Sequence, residues 1–299
     1  MAVTGFVCVN KPQDITSFVA AAKLRRIFGE KKTGHTGTLD PLATGVLVTA
    51  LGKATRFIEL IPDHDKAYRA TFVLGKTTDT LDITGKILSE QKVEVTEEQV
   101  RAVLPKFIGE IKQLPPRYSA IRKNGVRLYE LARQGVDVER EERNVTVYSL
   151  ELISSDEKKN EYTIDVSCSA GTYIRSLISD IGDLLGCGAV MTSLRRTAAC
   201  GIEITSCFTL EEISEAAQSG NLDGIIIPLE KLLAAYPAIE VTEKQGIRFK
   251  NGGDLMRDRL KNVTAEGLVR VYAAGEFLGL GELSAESESL TVKRVYQER

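Results

Sequence analysis

A single aspartate, Asp40, stands at the centre of the segment GHTGTLDPLATGVL, residues 34–47. A carboxylate in such a place can be a turn residue, a metal ligand, a general base or a nucleophile. Pro41 disfavours the helical region for Asp40 and holds it extended, and the glycines and threonines before it indicate a loop. Catalytic groups concentrate on loops held between rigid elements. Asp40 is therefore a candidate catalytic residue, and a turn aspartate bonded to its own backbone is the alternative.

Arg175 is placed against its local preference. It opens a predicted helix, and a cation in the first turn opposes the helix dipole at a cost of about 0.3–1 kcal/mol. The next-turn neighbours, Ile178 and Ser179, provide no carboxylate to compensate. Arg175 therefore needs a carboxylate or a phosphate from elsewhere, unless it is a surface arginine whose stem lies along apolar surface.

Two further side chains have types suited to a nucleic-acid site. Tyr68 begins a predicted strand among polar residues, where its ring could stack on a base or pack into the core. His35 lies between a glycine and a threonine, which favours exposure on a loop over a place in the core.

Metal and redox chemistry find little support in the sequence. The chain has five cysteines without a CxxC pair and only two histidines, so we expect neither a metal nor a cofactor. No apolar run is long enough for a membrane-spanning helix, and the start MAVTGFVCVNKPQD lacks a signal pattern. We therefore expect a cytoplasmic protein with reduced cysteines.

The charge is nearly balanced overall but unevenly distributed. The net charge is −2, yet residues 112–127 contain five basic residues and no acid, and residues 20–33 contain five basic residues against Glu30 alone. Such clusters can bind phosphates on one face of a soluble protein. The alternative for each cluster is a solvated helix face.

Hydrophobic periodicity predicts the principal elements. Residues 162–168 alternate as a half-buried strand, and the apolar positions that follow keep helical spacing until Gly186. The other predicted elements are strands at 6–9, 46–51, 66–74, 268–272, 277–283 and 290–296, helices from Thr16 or Ser17 to Gly29, at 128–133 and at 243–249, and a loop at 76–82.

Two changes of character indicate the organisation of the chain. Residues 115–145 are basic and rich in loop signals, which is typical of a functional insertion. Composition shifts again near Tyr236, where a small β-rich domain begins. The predicted domains are therefore residues 1–235, with an insertion at about 115–145, and residues 236–299.

Five ordered blocks between about residues 5 and 200 resemble the TruB family of tRNA pseudouridine-55 synthases. They are GHTGTLDPLATGVL with the upstream Asn10-Lys11-Pro12, then KAYRATFVLGKTTDTLDITG, PPRYSAIRKNGVRLYELARQG, CSAGTYIRSLISDIG and LRRT. One departure lies at Gln13-Asp14, where many relatives have a glycine; it makes the tight turn there less certain. The resemblance implies an α+β pseudouridine-synthase fold. It has a mixed, mainly antiparallel central sheet flanked by helices and loops, and a small β-barrel-like C-terminal domain of PUA type.

The resemblance also implies a reaction and a set of residues. Uridine at position 55 in the T-loop of tRNA would be isomerised to pseudouridine after it flips out of its stack. Asp40 would be the nucleophile, at C1′ or at C6, with Arg175 paired to it and Tyr68 stacked on the uracil. Tyr173 and Leu194 would line the pocket, and His35 would fill the space left by the extruded base.

The RNA contacts complete the expectation. The residues expected to bind RNA are Lys11 and, on a thumb-like insertion, Arg117, Arg122, Lys123 and Arg127. We expect a monomer that acts on the tRNA T-stem-loop without a guide RNA. The alternatives are a non-catalytic RNA-binding or RNA-folding protein and, more distantly, a hydrolase with Asp40 as nucleophile and Tyr68 as acid.

Overall fold

Two sheets organise the chain in a computed structural model, which describes residues 3–123, 125–136, 138–260, 266–284 and 288–296. The strands are β1 Gly5–Lys11, β2 Thr33–His35, β3 Thr44–Leu51, β4 Lys66–Leu74, β5 Lys76–Thr78, β6 Ile87–Glu90, β7 Gly109–Gln113, β8 Arg122–Lys123, β9 Val126–Arg127, β10 Arg143–Asp156, β11 Glu161–Cys168, β12 Ala189–Ala199, β13 Ile202–Glu203, β14 Ile226–Ile227, β15 Ala238–Val241, β16 Leu255–Met256, β17 Gly267–Ala273, β18 Glu276–Leu283 and β19 Ser289–Val295.

The helices are distributed between and around these strands. The α-helices are α1 Ser17–Ile27, α2 Glu97–Val103, α3 Leu128–Arg133, α4 Ile174–Leu184, α5 Leu210–Ser219, α6 Leu229–Leu232 and α7 Glu243–Lys250. Short 3₁₀ helices span Gly52–Leu60, Leu104–Phe107, Ile204–Ser206 and Arg257–Arg259.

The larger sheet has the strand order β14-β1-β3-β12-β4-β11-β10-β7, with β2 paired to β3 and β13 to β12. Among its named strand pairs, only β3 and β12 run parallel. The expected mixed, mainly antiparallel sheet is thus confirmed.

Close approach of β3 and β12 requires a glycine. A Cβ atom at Gly45 would lie 2.2 Å from the Arg196 carbonyl oxygen, and the φ of Gly45 is +99°, which L side chains rarely adopt. Since β12 also pairs with β4, this approach brings the loop before β3 next to the strand that carries Tyr68.

Local sequence signals explain the elements that were predicted. The strand at 162–168 buries Tyr162, Ile164, Val166 and Cys168, as the alternation predicted. Helix α4 buries Ile174, Leu177 and Ile181 against the same core. Helix α1 begins at the Thr16 cap, whose side chain accepts from the Val19 amide.

Two loop predictions were wrong. Residues 76–78 form strand β5, which pairs with β6 in a two-stranded ribbon, so only part of the expected loop at 76–82 remains. Residues 33–35 form β2, which pairs with β3, so His35 lies on a half-buried edge strand. In both places the strand is short, and its partner strand is distant in sequence or lacks a clear hydrophobic alternation. The prediction therefore followed the local turn residues and assigned a loop.

The predicted C-terminal β domain is present as a sheet in the order β15-β17-β18-β19-β16. Its own core contains Phe249, Val269, Val271 and Leu290. Phe277 and Leu280 of β18 instead pack in one cluster with Phe57 and Leu233. No helix in the described part of the chain is both long and apolar enough to cross a membrane.

Candidate active site

The loop that carries Asp40 is anchored on both sides. The Ser17 hydroxyl accepts from the Leu39 amide at 2.7 Å and donates to the Leu39 carbonyl at 3.1 Å. After the aspartate, the Ala43 amide donates to the Asp40 carbonyl at 3.1 Å. Leu39 and Ala43 are both buried in the main core. Asp40 thus projects from a short segment whose two ends cannot move independently of α1 and the sheet.

Lys11 helps to hold this loop. Its side chain is fully buried, and Nζ donates to the carbonyls of Pro12 at 2.9 Å, Ile15 at 2.7 Å and Pro41 at 3.5 Å. Burial lowers the pKa of Lys11 to about 8. The expectation that Lys11 binds RNA was wrong, because its three N–H groups are used by carbonyls of the protein.

The turn after Lys11 forms in spite of the missing glycine. Asp14 adopts a φ of 66°, a left-handed conformation that aspartate tolerates better than most residues. Its amide donates to the Pro41 carbonyl at 2.8 Å. The turn therefore has the shape a glycine would allow, and it supports Pro41 directly.

Arg175 provides the cation that faces Asp40. Nη2 lies 2.9 Å from Asp40 Oδ2, and the guanidinium side chain is only 6% exposed. Nη1 donates to the Thr80 carbonyl at 2.8 Å and Nη2 to the Tyr118 carbonyl at 2.9 Å. The expectation that Arg175 needs an anion from elsewhere is confirmed, and that anion is the Asp40 carboxylate.

Asp82 is a second carboxylate that sequence reasoning missed. Its Oδ2 lies 3.8 Å from Arg175 Nη1. Oδ1 accepts from the Thr80 hydroxyl at 2.8 Å, the Thr84 amide at 3.0 Å and the Thr84 hydroxyl at 2.5 Å. The available signal was the pattern TLDIT, residues 80–84, in which threonines flank an aspartate at the spacing of a side-chain-capped turn.

Opposing effects act on the Asp40 carboxyl. Burial raises its pKa above the ordinary 3.8, the charge of Arg175 lowers it, and Asp82 raises it again. The net direction is upward. Arg175 therefore offsets the desolvation of Asp40 only in part, although the ion pair fixes the orientation of the carboxylate.

The remaining predicted pocket residues surround this pair. Tyr68 and Leu194 lie on the neighbouring strands β4 and β12 and share a buried cluster with Leu39. Tyr173 caps α4; it exchanges backbone hydrogen bonds with the Gln113 side chain at 2.7 and 3.0 Å. Burial raises the pKa of both phenols, and the Asp40 charge raises both further. Both rings are therefore neutral at pH 7 and lie near the carboxylate.

Arg196, in the LRRT segment, is a further buried cation whose place beside the site sequence reasoning missed. Nε donates to the Val46 carbonyl at 2.6 Å and Nη2 to the Gly37 carbonyl at 3.1 Å, but Nη1 has no hydrogen-bond partner among the described residues. Arg196 pairs with Tyr68 across β4 and β12, and its charge offsets part of the burial effect on the Tyr68 pKa. Arg196 thus connects the loop before Asp40 to the tyrosine.

His35 lies at the start of the same loop. Burial lowers its pKa, and the charges of Arg196 and Arg127 lower it further. Its Nδ1 has no hydrogen-bond partner among the described residues. His35 is therefore a neutral imidazole with an unused ring nitrogen, in reach of the field of the basic insertion.

The insertion presents its cations to solvent. Arg117, Arg122, Lys123 and Arg127 are all exposed. In the β8–β9 hairpin, Arg122 lies directly opposite Arg127, and like charges in that position destabilise a strand pair. Lys123 Nζ donates to the Glu139 carbonyl at 2.7 Å, and Arg127 Nη1 to the Tyr129 hydroxyl at 3.1 Å. An anionic ligand would relieve the repulsion between the paired arginines.

Comparison with known proteins covers nearly the whole chain. Residues 25–174 match the family described as TruB family pseudouridylate synthase (N terminal domain). Residues 175–234 match the tRNA pseudouridylate synthase B C-terminal domain, and residues 237–296 match Pseudouridine synthase II TruB, C-terminal.

Similar proteins and structures agree with these matches. The chain is 42% identical over 293 residues to tRNA pseudouridine synthase B of Azoarcus sp. (strain BH72), covering 98% of this chain and 95% of the relative. It is 40% identical to the protein of the same name from Escherichia coli (strain K12), covering 95% and 92%. A chain in the crystal structure of a Cbf5-Nop10-Gar1 complex superposes with a TM-score of 0.74 at 27% identity, over 97% of this chain and 84% of that one. The chain belongs to the TruB family of pseudouridylate synthases.

Proposed function

We propose that this protein isomerises uridine to pseudouridine at position 55 in the T-loop of tRNA, with Asp40 as the nucleophile. The observation that carries the proposal is the Asp40–Arg175 ion pair, 2.9 Å long, beside Tyr68 and Leu194 in a chain of this family. The relatives named tRNA pseudouridine synthase B, at 40–42% identity, support tRNA as the substrate. The T-loop position and recognition without a guide RNA are parts of the proposal.

The reaction conserves atoms and needs no oxidant or reductant. The N1–C1′ bond breaks, the uracil turns, and C5 forms a bond to C1′; C5 then loses its proton and N1 gains one. Arg175 holds Oδ2 of Asp40, which leaves Oδ1 as the oxygen that attacks. Attack on C1′ and attack on C6 both need one oriented, ionised carboxylate, and this geometry serves either route.

The substrate base must leave its stack to reach Asp40. The Asp40 side chain is 37% exposed, so a ligand can reach it, and an enzyme that does chemistry on a base takes that base out of its stack. Tyr68 would stack on the extruded uracil and take part in removal of the C5 proton, while Tyr173 and Leu194 would line the pocket. His35 would occupy the gap that the base leaves, as such enzymes must keep the flipped base from returning.

The basic insertion would hold the RNA backbone. Arg117, Arg122, Lys123 and Arg127 are exposed, and phosphates are the ligands that such a set attracts without reading sequence. The Arg122–Arg127 repulsion favours a bound anion at the hairpin.

The alternatives explain less of the site. A binding protein would gain nothing from a carboxylate whose pKa burial has raised. A hydrolase of the glycosidase kind needs a second carboxyl group that reaches the substrate. Asp82 is close, but its side chain is 8% exposed and Oδ1 already accepts three hydrogen bonds.

The proposal is tested with a tRNA transcript tritiated at uracil C5. We expect wild type to release tritium and Asp40→Asn to lose at least about 10³-fold in rate while still binding tRNA. Asp165→Asn is the matched control, since it removes an exposed carboxylate paired to Arg69 at 2.6 Å and should keep the wild-type rate.

The position and the alternative are tested with the same assay. A transcript with cytidine in place of uridine 55 should release no tritium above background. Equal release from that transcript would refute the position, and equal rates for Asp40→Asn and wild type would refute Asp40 as the nucleophile. No release by wild type that still binds tRNA would make the protein an RNA binder without isomerase activity.

A further inference from the structure

A basic cleft that the proposed chemistry does not use opens beside the Asp40 loop. Its volume is about 450 Å³, within the ~300–1,000 Å³ typical of small-ligand sites. It lies between helix α1, strand β2 and the 3₁₀ helix Gly52–Leu60, and we call it the α1 cleft. Residues that line it include Phe18, Arg25, Lys31, Lys32, His35 and Thr55.

One face of α1 forms the first wall. Phe18, Ala21, Ala22 and Arg25 are spaced so that they share a face of the helix. The two alanines leave room, and Phe18 projects from the wall with 76% of its surface exposed. A largely exposed aromatic ring beside cations is the usual platform for an unstacked base.

The cations of the cleft have no partners within the described part of the protein. Arg25, Lys31 and Lys32 are exposed, and none of them makes an ion pair or side-chain hydrogen bond with the described residues. The one acid of the neighbouring sequence, Glu30, is directed elsewhere, because its Oε1 accepts from the Val3 amide at 2.6 Å. Three cations therefore face the cleft without a neutralising carboxylate.

The cleft adjoins the loop that carries Asp40. His35 lines it and begins the loop that leads to Asp40. At the other wall, Ser17, the residue before Phe18, holds both backbone groups of Leu39, the residue before Asp40. Residues of both walls of the cleft are thus joined, along the chain or by hydrogen bonds, to the loop that carries Asp40.

We propose that the α1 cleft binds an unstacked nucleotide next to the target uridine, with its base on Phe18 and its phosphate at Arg25, Lys31 and Lys32. The proposal rests on the proposed function, since it takes the substrate RNA to be bound at Asp40. In this proposal the basic cluster at residues 20–33 binds a single-stranded nucleotide, and the basic insertion at about 115–145 binds the stem.

The test measures RNA affinity by fluorescence anisotropy in an Asp40→Asn background, which excludes turnover. The probe is a T-stem-loop hairpin, and a second set of hairpins carries an abasic ribose at one position on either side of the target. We expect Phe18→Leu to weaken binding of the intact hairpin about tenfold, and Phe18→Tyr to bind within about twofold because stacking is kept. Against one of the abasic hairpins, Phe18→Leu should have no further effect.

Charge is tested with a matched pair on the same helix. Arg25→Ala should reduce the slope of log affinity against log salt by about 0.7, the value for one phosphate contact on a single strand. Arg26→Ala removes an exposed arginine of α1 that does not line the cleft, and it should leave the slope nearly unchanged.

Failure of this proposal is distinct from failure of the proposed function. Unchanged affinity in Phe18→Leu, the same loss on every abasic hairpin, or equal slopes for Arg25→Ala and Arg26→Ala would each overturn the cleft assignment. Tritium release by wild type is measured separately and decides the isomerase activity whatever the binding data show.

Discussion

Burial and charge act against each other at the Asp40 carboxyl group. Desolvation raises its pKa, Arg175 and Lys11 lower it, and the nearby Asp82 raises it. A carboxylate with a raised pKa is a more basic and more reactive nucleophile than a free one, provided that it stays ionised at working pH. Arg175 therefore orients the group and limits the upward shift, while burial supplies the reactivity.

This balance predicts an acid limb in the pH profile of the single-turnover rate. The rate should fall with decreasing pH as Asp40 is protonated, and the midpoint should lie above the ordinary value of 3.8, because the net shift of the pKa is upward. Single-turnover tritium release with saturating enzyme measures the limb, and hairpin affinity at each pH shows whether binding contributes to it.

His35 is the group most easily mistaken for Asp40 in this profile. The pKa of His35 is lowered from 6.5 and that of Asp40 is raised from 3.8. The two shifts bring the two pKa values closer together. In His35→Asn the acid limb should remain where it is in wild type. Loss of the limb in that variant would assign it to the imidazole instead.

The role of a single residue could be predicted where the sequence placed a charge in an unfavourable position. Arg175 opposes its helix dipole, and local sequence alone shows that it needs an anion from another part of the chain or from a ligand. Lys11 gave no such signal, since a lysine in a turn is compatible with solvent or with carbonyls, and only the fold decides. The position of Arg196 beside the site depends on the β4–β12 pairing, and that of Asp82 on a bridge to Met191 of β12; no local pattern contains either contact.

At the scale of the elements, the basic insertion contains a hairpin whose paired arginines favour a bound phosphate. The β8–β9 hairpin sets Arg122 against Arg127, and two like charges directly opposite each other destabilise a strand pair when no anion is bound. The charge of Arg127 also reaches the site, since it contributes to the lowered pKa of His35. A bound phosphate would reduce the repulsion between the two arginines and hold the hairpin against the RNA stem.

We therefore expect tRNA affinity to depend steeply on salt, with part of the slope due to this hairpin. Arg122→Ala and Arg127→Ala should each reduce the slope of log affinity against log salt by about 0.9, the value for a phosphate contact on a duplex. Arg101→Ala removes an exposed arginine that is paired with Glu97 on α2 and should leave the slope unchanged. Equal slopes in all three variants would argue against a role for the hairpin.

Helices and strands could be predicted where the hydrophobic period of the segment itself identifies them. The alternating strand β11 and the apolar face of α4 follow from side-chain period alone. Strand β12 is central to the sheet, yet AVMTSLRRTAA has no clean alternation, because the buried Arg196 lies beside the site and the backbone must approach Gly45. Its place follows from two partners distant in sequence, β3 and β4.

At the scale of the whole molecule, an aromatic cluster joins the C-terminal sheet to the catalytic sheet. Phe277 of β18 lies 6.3 Å from the ring of Phe57, 5.5 Å from Tyr272 and 5.7 Å from Tyr296, between ring centroids. Phe57 belongs to the same 3₁₀ helix as Thr55, which lines the α1 cleft. The proposed boundary near residue 235 thus separates two sheets that share a core.

A shared core predicts cooperative unfolding, and Phe277→Ala should break it. Wild type should unfold in one calorimetric transition, with equal calorimetric and van't Hoff enthalpies. Phe277→Ala removes a buried ring at a cost of about 3–5 kcal/mol, and the lost coupling should separate the C-terminal sheet as an earlier transition. Phe249→Ala is the matched control, because Phe249 is fully buried in the core of the C-terminal sheet alone; it should lower the melting temperature while unfolding stays a single transition. A single transition in Phe277→Ala, shifted no more than in Phe249→Ala, would mean that the two sheets are coupled by contacts other than this aromatic cluster.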